Sequence, residues 1–289
     1  MTLPNPAPNP AACPDKTLQN AVAQAFPTLN QPWTPLQGGR VNAVWRAGDM
    51  VIKHYHPSGD SPLFPNDPAA EAAALSLLAP FGLAPKLLGK GQGWIAYHYC
   101  PGTAWKTNTA RVADTLTRLH QTPFQTAGFR HAPNGSAALL AQAKSIAALC
   151  KQASGKPALP PPPPDPHIPP RPTCLIHGDL VPGNLIVHHG TLTPIDWQCP
   201  AIGDPVDDIA TFLSPAMQFL YRGAPLTHDE IGAFRAGCPT NTIQRYDQLA
   251  ALYHWRMAAH CLWKVTPDYA QAMQLELAAL QRLTQKNPG

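Results

Sequence analysis

Cys174-Leu175-Ile176-His177-Gly178-Asp179-Leu180-Val181-Pro182-Gly183-Asn184-Leu185-Ile186-Val187 opens the segment from which the rest of the chain is read. The turn His188-His189-Gly190 follows, then Thr191-Leu192-Thr193-Pro194-Ile195-Asp196-Trp197, and the segment closes on Gly203-Asp204-Pro205-Val206-Asp207-Asp208-Ile209-Ala210. Leu185-Ile186-Val187 is a short apolar run bounded by turn residues, which predicts a buried strand. Leu192 to Ile195 predicts a second strand, and the two form a hairpin. Asn184 precedes the first strand and Asp196 follows the second, so the outer ends of the hairpin carry a carboxamide and a carboxylate. Asp179 lies on the loop leading in.

This set of residues suits phosphoryl transfer. That chemistry needs hard oxygen ligands for magnesium, which Asn184 and Asp196 supply. It also needs a group that positions the attacking hydroxyl and accepts its proton, which Asp179 supplies. The bland alternative for Asp179 is a turn-capping aspartate. A lone His-Gly-Asp triplet is a weak signal; the ordered series is specific.

The segment resembles the catalytic core of the aminoglycoside phosphotransferase and choline kinase family, distant relatives of the protein kinases. His177-Gly178-Asp179, four spacers and Asn184 resemble its catalytic loop. Ile195-Asp196-Trp197 resembles its metal-binding segment, and Gly203-Asp204-Pro205 with Asp208 its next signature. The resemblance implies Asp179 as catalytic base, Asn184 and Asp196 as magnesium ligands, and Asp208 as a structural carboxylate holding the loop. It gives His177 a structural place below the loop, and ATP and Mg2+ as cofactors. Asp204 either reaches the loop or shapes its turn. The implied fold class is α+β: a two-lobed, protein-kinase-like fold with a small antiparallel-sheet N-lobe and a mostly helical C-lobe. Residues 1–15 are expected to be poorly ordered, 16–100 to form the N-lobe and 101–289 the C-lobe.

Upstream, Gly38-Gly39 starts a turn that resembles the family's phosphate-covering loop, with amides suited to a phosphate. Asn42 to Arg46 and Met50 to Tyr55 are strand-like, joined by Gly48-Asp49. Lys53 sits in an otherwise apolar strand. It is either an exposed strand lysine or, as the resemblance implies, a lysine aimed at the α- and β-phosphates of ATP. Glu71, in the first turn of a helix expected over Ala69 to Ala79, is favourably placed near the positive helix end and resembles the partner of that lysine. Gly89 to Gly93 is expected to be a turn, and Trp94 to Cys100 is a strand. By resemblance the backbone near His98, Tyr99 and Cys100 meets the adenine edge.

Downstream, helices are expected at 111–121, 137–152, from Val206 to Phe212, 227–235, 242–263 and 268–285, with Thr211 to Gly223 continuing mostly apolar and Thr227 with Glu230 forming a capping-box pattern. His120 is a packing or capping histidine. Pro160 to Pro164 is an unbroken proline run within Pro157 to Pro172, unable to enter a helix interior or a central sheet. It reads as a stiff surface connector, or as a ligand for an aromatic-lined groove of a partner.

Bulk composition bounds the rest. The chain has 289 residues, 44% apolar and 13% charged, which fits a globular protein with a lightly charged surface. Its net charge of +4 is scattered, so no nucleic-acid footprint is expected. Seven dispersed cysteines fit reduced thiols and a cytoplasmic setting, and neither a secretory signal nor a membrane span is expected. The phosphate acceptor is expected to be a small-molecule alcohol or amino alcohol. Trp197, Tyr246, Trp255 and Trp263, with Asp204, Asp229 and Asp247, are candidates to bind it, or are simply core residues. Aromatic faces and carboxylates would suit choline or ethanolamine; carboxylates alone would suit an aminoglycoside. A choline or ethanolamine kinase and a nucleotide-binding protein without turnover are the alternatives.

Overall fold

The computed structural model describes residues 13–36, 41–56, 59–150 and 158–286. In chain order the elements are α1 (Lys16–Ala25), β1 (Thr34–Pro35), β2 (Ala43–Ala47), β3 (Met50–His54), α2 (Pro68–Leu78), β4 (Leu87–Gly91), β5 (Trp94–His98) and β6 (Thr103–Ala104). They continue with α3 (Thr109–Gln121), β7 (Arg130–His131), α4 (Ser136–Ala148), β8 (Cys174–Ile176), β9 (Leu185–His188), β10 (Thr191–Pro194) and β11 (Ala201–Gly203). The remainder is helical: α5 (Val206–Leu213), α6 (Pro215–Arg222), α7 (His228–Ala236), α8 (Thr240–Lys264) and α9 (Pro267–Lys286). The chain forms two compact units, Met1–Thr103 with Ile186–Cys199, and Ala104–Leu185 with Pro200–Gly289.

The first unit is built on a five-stranded antiparallel sheet in the order β1-β2-β3-β5-β4. Gly48 at φ +60° makes the tight turn between β2 and β3. Leu18 and Val22 of α1 pack with Trp45, Ile52 and Trp94 of the sheet. Asp15 caps α1, accepting a hydrogen bond from the Leu18 amide at 2.7 Å. β4 runs through Gly89 to Gly91, where a turn was expected. A Cβ at Gly89 would stand 2.7 Å from the Phe26 ring, so a close-packed aromatic, not a turn, explains that glycine.

The second unit is mostly helical, with a small sheet in the order β7-β11-β8 that sequence reading missed. Its strands are two or three residues long, too short to show a period. The apolar stretch after Val206 is not continuous. It breaks at Ser214-Pro215, where Ser214 caps α6 through the Met217 amide at 3.1 Å. α7 carries the expected capping box between Thr227 and Glu230.

The proline-rich stretch is a strap on this unit. Trp255 donates its indole N–H to the Pro160 carbonyl at 2.9 Å, and Leu159 packs against Ala143, Trp255 and Leu280. Arg245 reaches the Pro169 carbonyl at 2.9 Å, and the Asn134 carboxamide the Arg171 carbonyl at 2.7 Å. Among the described residues, no helix is long and apolar enough to cross a membrane.

Candidate active site

Lys53 lies on the central strand β3, in register with Val44 on β2 and Ile95 on β5, and is 2% exposed. An ammonium that deeply buried requires anions. α2 supplies one. Asp67 caps this helix by accepting from the Ala69 and Ala70 amides, and Pro68 occupies its first position. Glu71, one turn in, is fully buried and places Oε2 2.6 Å from Lys53 Nζ. Asp196 supplies the second anion, pairing with Lys53 through Oδ1. The other Glu71 oxygen accepts the Trp197 amide at 3.1 Å, so one carboxylate grips both neighbours of the Asp196 position. Asp196 itself is left-handed, at φ +61°, a conformation that aspartate tolerates better than most residues.

Burial works against the Lys53 charge, but Asp196 and then Glu71 outweigh it and hold the ammonium above its ordinary pKa. Burial pushes Glu71 up, with Lys53 opposing. Two carboxylates thus share one ammonium, and the side chain of Asp196 keeps 30% of its surface open. A surplus of negative charge on hard oxygen donors fits a divalent cation such as magnesium.

Two further features of this unit escaped sequence reading. The Tyr55 hydroxyl donates to Glu71 Oε2, and burial, then the Glu71 charge, pushes its pKa well up. Asn42 is buried and donates Nδ2 to Asn66 at 2.8 Å and to Gln198 at 2.9 Å. Its Oδ1 accepts the His56 amide at 3.1 Å. A carboxamide network thus fixes the chain before β2, just before α2 and just after Asp196. The partners of Asn42 and Gln198 are 156 residues apart, beyond any local pattern.

Gly38 and Gly39 lie outside the described residues. The amides of His98 and Tyr99 donate to the Lys86 and Asp49 carbonyls, both at 2.8–2.9 Å, so neither is left for an adenine ring. The Tyr99 ring carries the Arg46 guanidinium at 3.8 Å. Cys100 follows β5 and is half-buried.

In the second unit, β8 delivers the loop that bears Asp179. Asp208, at the start of α5 and fully buried, accepts the His177 amide on Oδ2 and the Gly178 amide on Oδ1, each at 2.9 Å. His120 Nε2 lies 2.9 Å from Asp208 Oδ2, and since a carboxylate only accepts, that nitrogen donates. Burial alone would raise the Asp208 pKa, but His120 and the His177 contacts hold it below the ordinary value. His120 is therefore a partner of the anchor rather than a generic packing residue. The 88 residues between them hid the pair from sequence reading.

Gly178 takes φ +79°, open to glycine. His177 is fully buried beneath the turn, with Nδ1 accepting the Asp179 amide at 3.2 Å. Asn184 donates Nδ2 to the Asp179 carbonyl at 2.9 Å. The loop thereby brings Asp179 and Asn184 together, both 7% exposed. Gly183 between them faces Tyr221 of α6, and a Cβ there would stand 2.6 Å from the ring. Asp204 shapes the turn, accepting the Val206 amide at 3.1 Å, and pairs with Arg245. Asp207 pairs with Arg256 through both oxygens, at 2.8 and 3.1 Å.

Most aromatic acceptor candidates are core. Trp197, Trp255 and Tyr246 are 0%, 3% and 8% exposed, and Trp255 spends its N–H on the strap. Trp263 stacks on His260. Asp247 is held by Arg235 through two hydrogen bonds of 2.7 and 2.8 Å, and Asp204 by Arg245.

With this geometry in place, the model of the phosphotransferase enzyme family matches residues 32–252. The chain belongs to that family. Comparison with curated proteins finds no match. Among solved structures, the phosphotransferase is similar to a choline/ethanolamine kinase family protein from Mesorhizobium loti, at 17% identity and TM-score 0.65 over 93% of this chain and 95% of that one. It is also similar to the choline kinase LicA from Streptococcus pneumoniae, at 16% identity and TM-score 0.64 over 92% and 100%. A third similar structure is the ternary complex of APH(2")-IIa with streptomycin and ATP, at 12% identity and TM-score 0.59 over 95% and 97%. These likenesses show the fold, which is kinase-like: an antiparallel-sheet unit and a mostly helical one.

Proposed function

We propose that this phosphotransferase moves the γ-phosphoryl group of ATP to the hydroxyl of a small molecule. The observation that carries the reading is the buried Lys53–Glu71–Asp196 cluster, whose single ammonium leaves negative charge uncompensated beside an accessible carboxylate. In this reading Lys53 contacts the α- and β-phosphates, and Glu71 holds it in place. Gly38-Gly39 covers the phosphates, and the chain near Cys100 meets the adenine. Asn184 and Asp196 would hold magnesium, whose charge offsets that of the phosphate oxygens when bound. Asp179 orients the acceptor hydroxyl. The acceptor oxygen bonds to the γ-phosphorus, the bond to the β–γ bridging oxygen breaks, ADP leaves, and the proton passes to Asp179. Positioning and charge neutralisation supply most of the rate. Residues 16–100 act as the nucleotide-covering lobe and 101–289 as the lobe of the catalytic loop and acceptor.

The acceptor is a small alcohol or amino alcohol. The burial of Trp197, Tyr246 and Trp255 weighs against an aromatic box for a quaternary ammonium built from these three. ADP release with Mg-ATP across choline, ethanolamine, aminoglycosides, homoserine and sugars tests the reading. Turnover with one class is expected, with Asp179→Asn lowering kcat and kcat/KM together by about 100- to 10,000-fold. Equal turnover by Asp179→Asn would refute the assigned base. Nucleotide protection against unfolding with no turnover on any acceptor would favour a binding protein.

A further inference from the structure

We propose that the second unit carries a separate site for a small oxyanion, of the inorganic phosphate or phosphomonoester class, beside Arg171 and His120. A cavity of about 280 Å3 lies there, walled by the end of α3, residues 171–174, the start of α5 and residues 238–242. That volume is at the small end of the range for ligand pockets and is ample for a phosphate or a small phosphomonoester. Its charge is one-sided. Arg171 lines it, and no aspartate or glutamate does. Thr173 and Asn241 add a hydroxyl and a carboxamide to the same wall.

Arg171 is the second observation. Arg222, Arg235, Arg245 and Arg256 of this unit each hold a carboxylate. Arg171, half-buried and lining the cavity, holds none among the described residues, although its backbone is fixed through both its N–H and its carbonyl by Asn134. A guanidinium on a fixed backbone, with no internal anion, matches the planar two-point recognition of a phosphate or carboxylate group. His120 has spent Nε2 on Asp208, which leaves Nδ1 as an acceptor for the P–OH of a hydrogen phosphate.

The site also touches the machinery assigned above. Asp208 stands between His120 and the amides of His177 and Gly178, next to Asp179. An occupant on His120 would be three hydrogen bonds from the amides of His177 and Gly178, the two residues before the proposed base, and this link to the chemistry rests on the reaction proposed above.

The binding step is tested without turnover. Thermal unfolding and titration calorimetry at saturating ADP, which occupies the nucleotide site, follow inorganic phosphate and glycerol 3-phosphate. Glycerol serves as the uncharged control and chloride as the ionic-strength control. Saturable stabilisation of the wild type is expected, weakened about tenfold or more in Arg171→Ala. Arg171→Lys should restore part of it, and Thr173→Glu, which puts a carboxylate in the wall, should abolish it. Preference for one probe distinguishes free phosphate from a phosphoester. No saturable effect in the wild type, or undiminished binding by Arg171→Ala or Thr173→Glu, overturns the site. Failure of ADP to protect the protein, with the dependence on Arg171 intact, would count against the nucleotide reading alone.

Discussion

Glu71 and Asp208 are both fully buried carboxylates, and each holds a residue of the proposed chemistry in place, yet they are compensated in opposite ways. Glu71 answers an ammonium that it must share with Asp196. Asp208 answers two backbone amides and a histidine. Burial leaves the first carboxylate above its ordinary pKa, whereas hydrogen bonds to the charged form hold the second below it. One anchor is part of an unbalanced charge cluster suited to receiving a cation; the other is a finished fixture that sets backbone geometry.

The contrast is broken most severely at Asp208. Asp208→Ala strands two buried amides and His120 and should lower the unfolding free energy by about 3–5 kcal/mol, read by urea denaturation. Gly183→Ala tests the same loop from its other side. A methyl 2.6 Å from the Tyr221 ring should cost about 1–3 kcal/mol, and much less in a Tyr221→Ala background, so a double-mutant cycle on stability should show strong coupling.

The pH response sharpens the comparison. With its pKa lowered, Asp208 contributes stability above the ordinary carboxylate pKa and loses it as pH falls through its own lower value. With its pKa raised, Glu71 binds its proton earlier in the folded state than in the unfolded one, so stability from this group rises as pH falls through its raised value. Hydrogen exchange should therefore show the loop at 177–179 losing protection in acid while the Glu71 region holds. His260, also in the second unit, adds to the asymmetry. Burial, with Lys264 and Arg256 nearby, pushes its pKa from 6.5 to about 3. Its unfolded state takes up a proton first, so the unfolding free energy should fall by about 1.4 kcal/mol per pH unit across that window. His260→Phe should flatten the slope.

The smallest effect on stability is expected at Glu71. Glu71→Gln leaves Lys53 with one carboxylate instead of two, so stability should change by only about 1 kcal/mol. Nucleotide protection in thermal unfolding should fall sharply, because Lys53 is then held by Asp196 alone.

Local chemistry made much of this legible in advance. The hairpin of β9 and β10 and the α7 capping box follow from periodicity and turn residues, and the Lys53–Glu71 pair from the resemblance to the family. What was hidden has long range in the chain: His120 on Asp208, Asn42 on Gln198, and the parallel pairing of β7 with β11. No local pattern encodes a partner that far away. The aromatic residues on α8 were ambiguous for a different reason. Helical spacing is the same for a core face and a ligand face, and only burial separates them.

The proline strap has a consequence for which substitutions the protein tolerates. It is held by its own carbonyls, at Pro160, Ile168, Pro169 and Arg171, which any residue in the same backbone conformation would present. The identity of the contact is written in the donors that read it, namely the Trp255 indole, the Ser136 hydroxyl, the Arg245 guanidinium and the Asn134 carboxamide. Drift along Pro160 to Pro164 should thus be nearly silent as long as the extended path survives, while a change in any one of four residues far from it in sequence would let the strap lift.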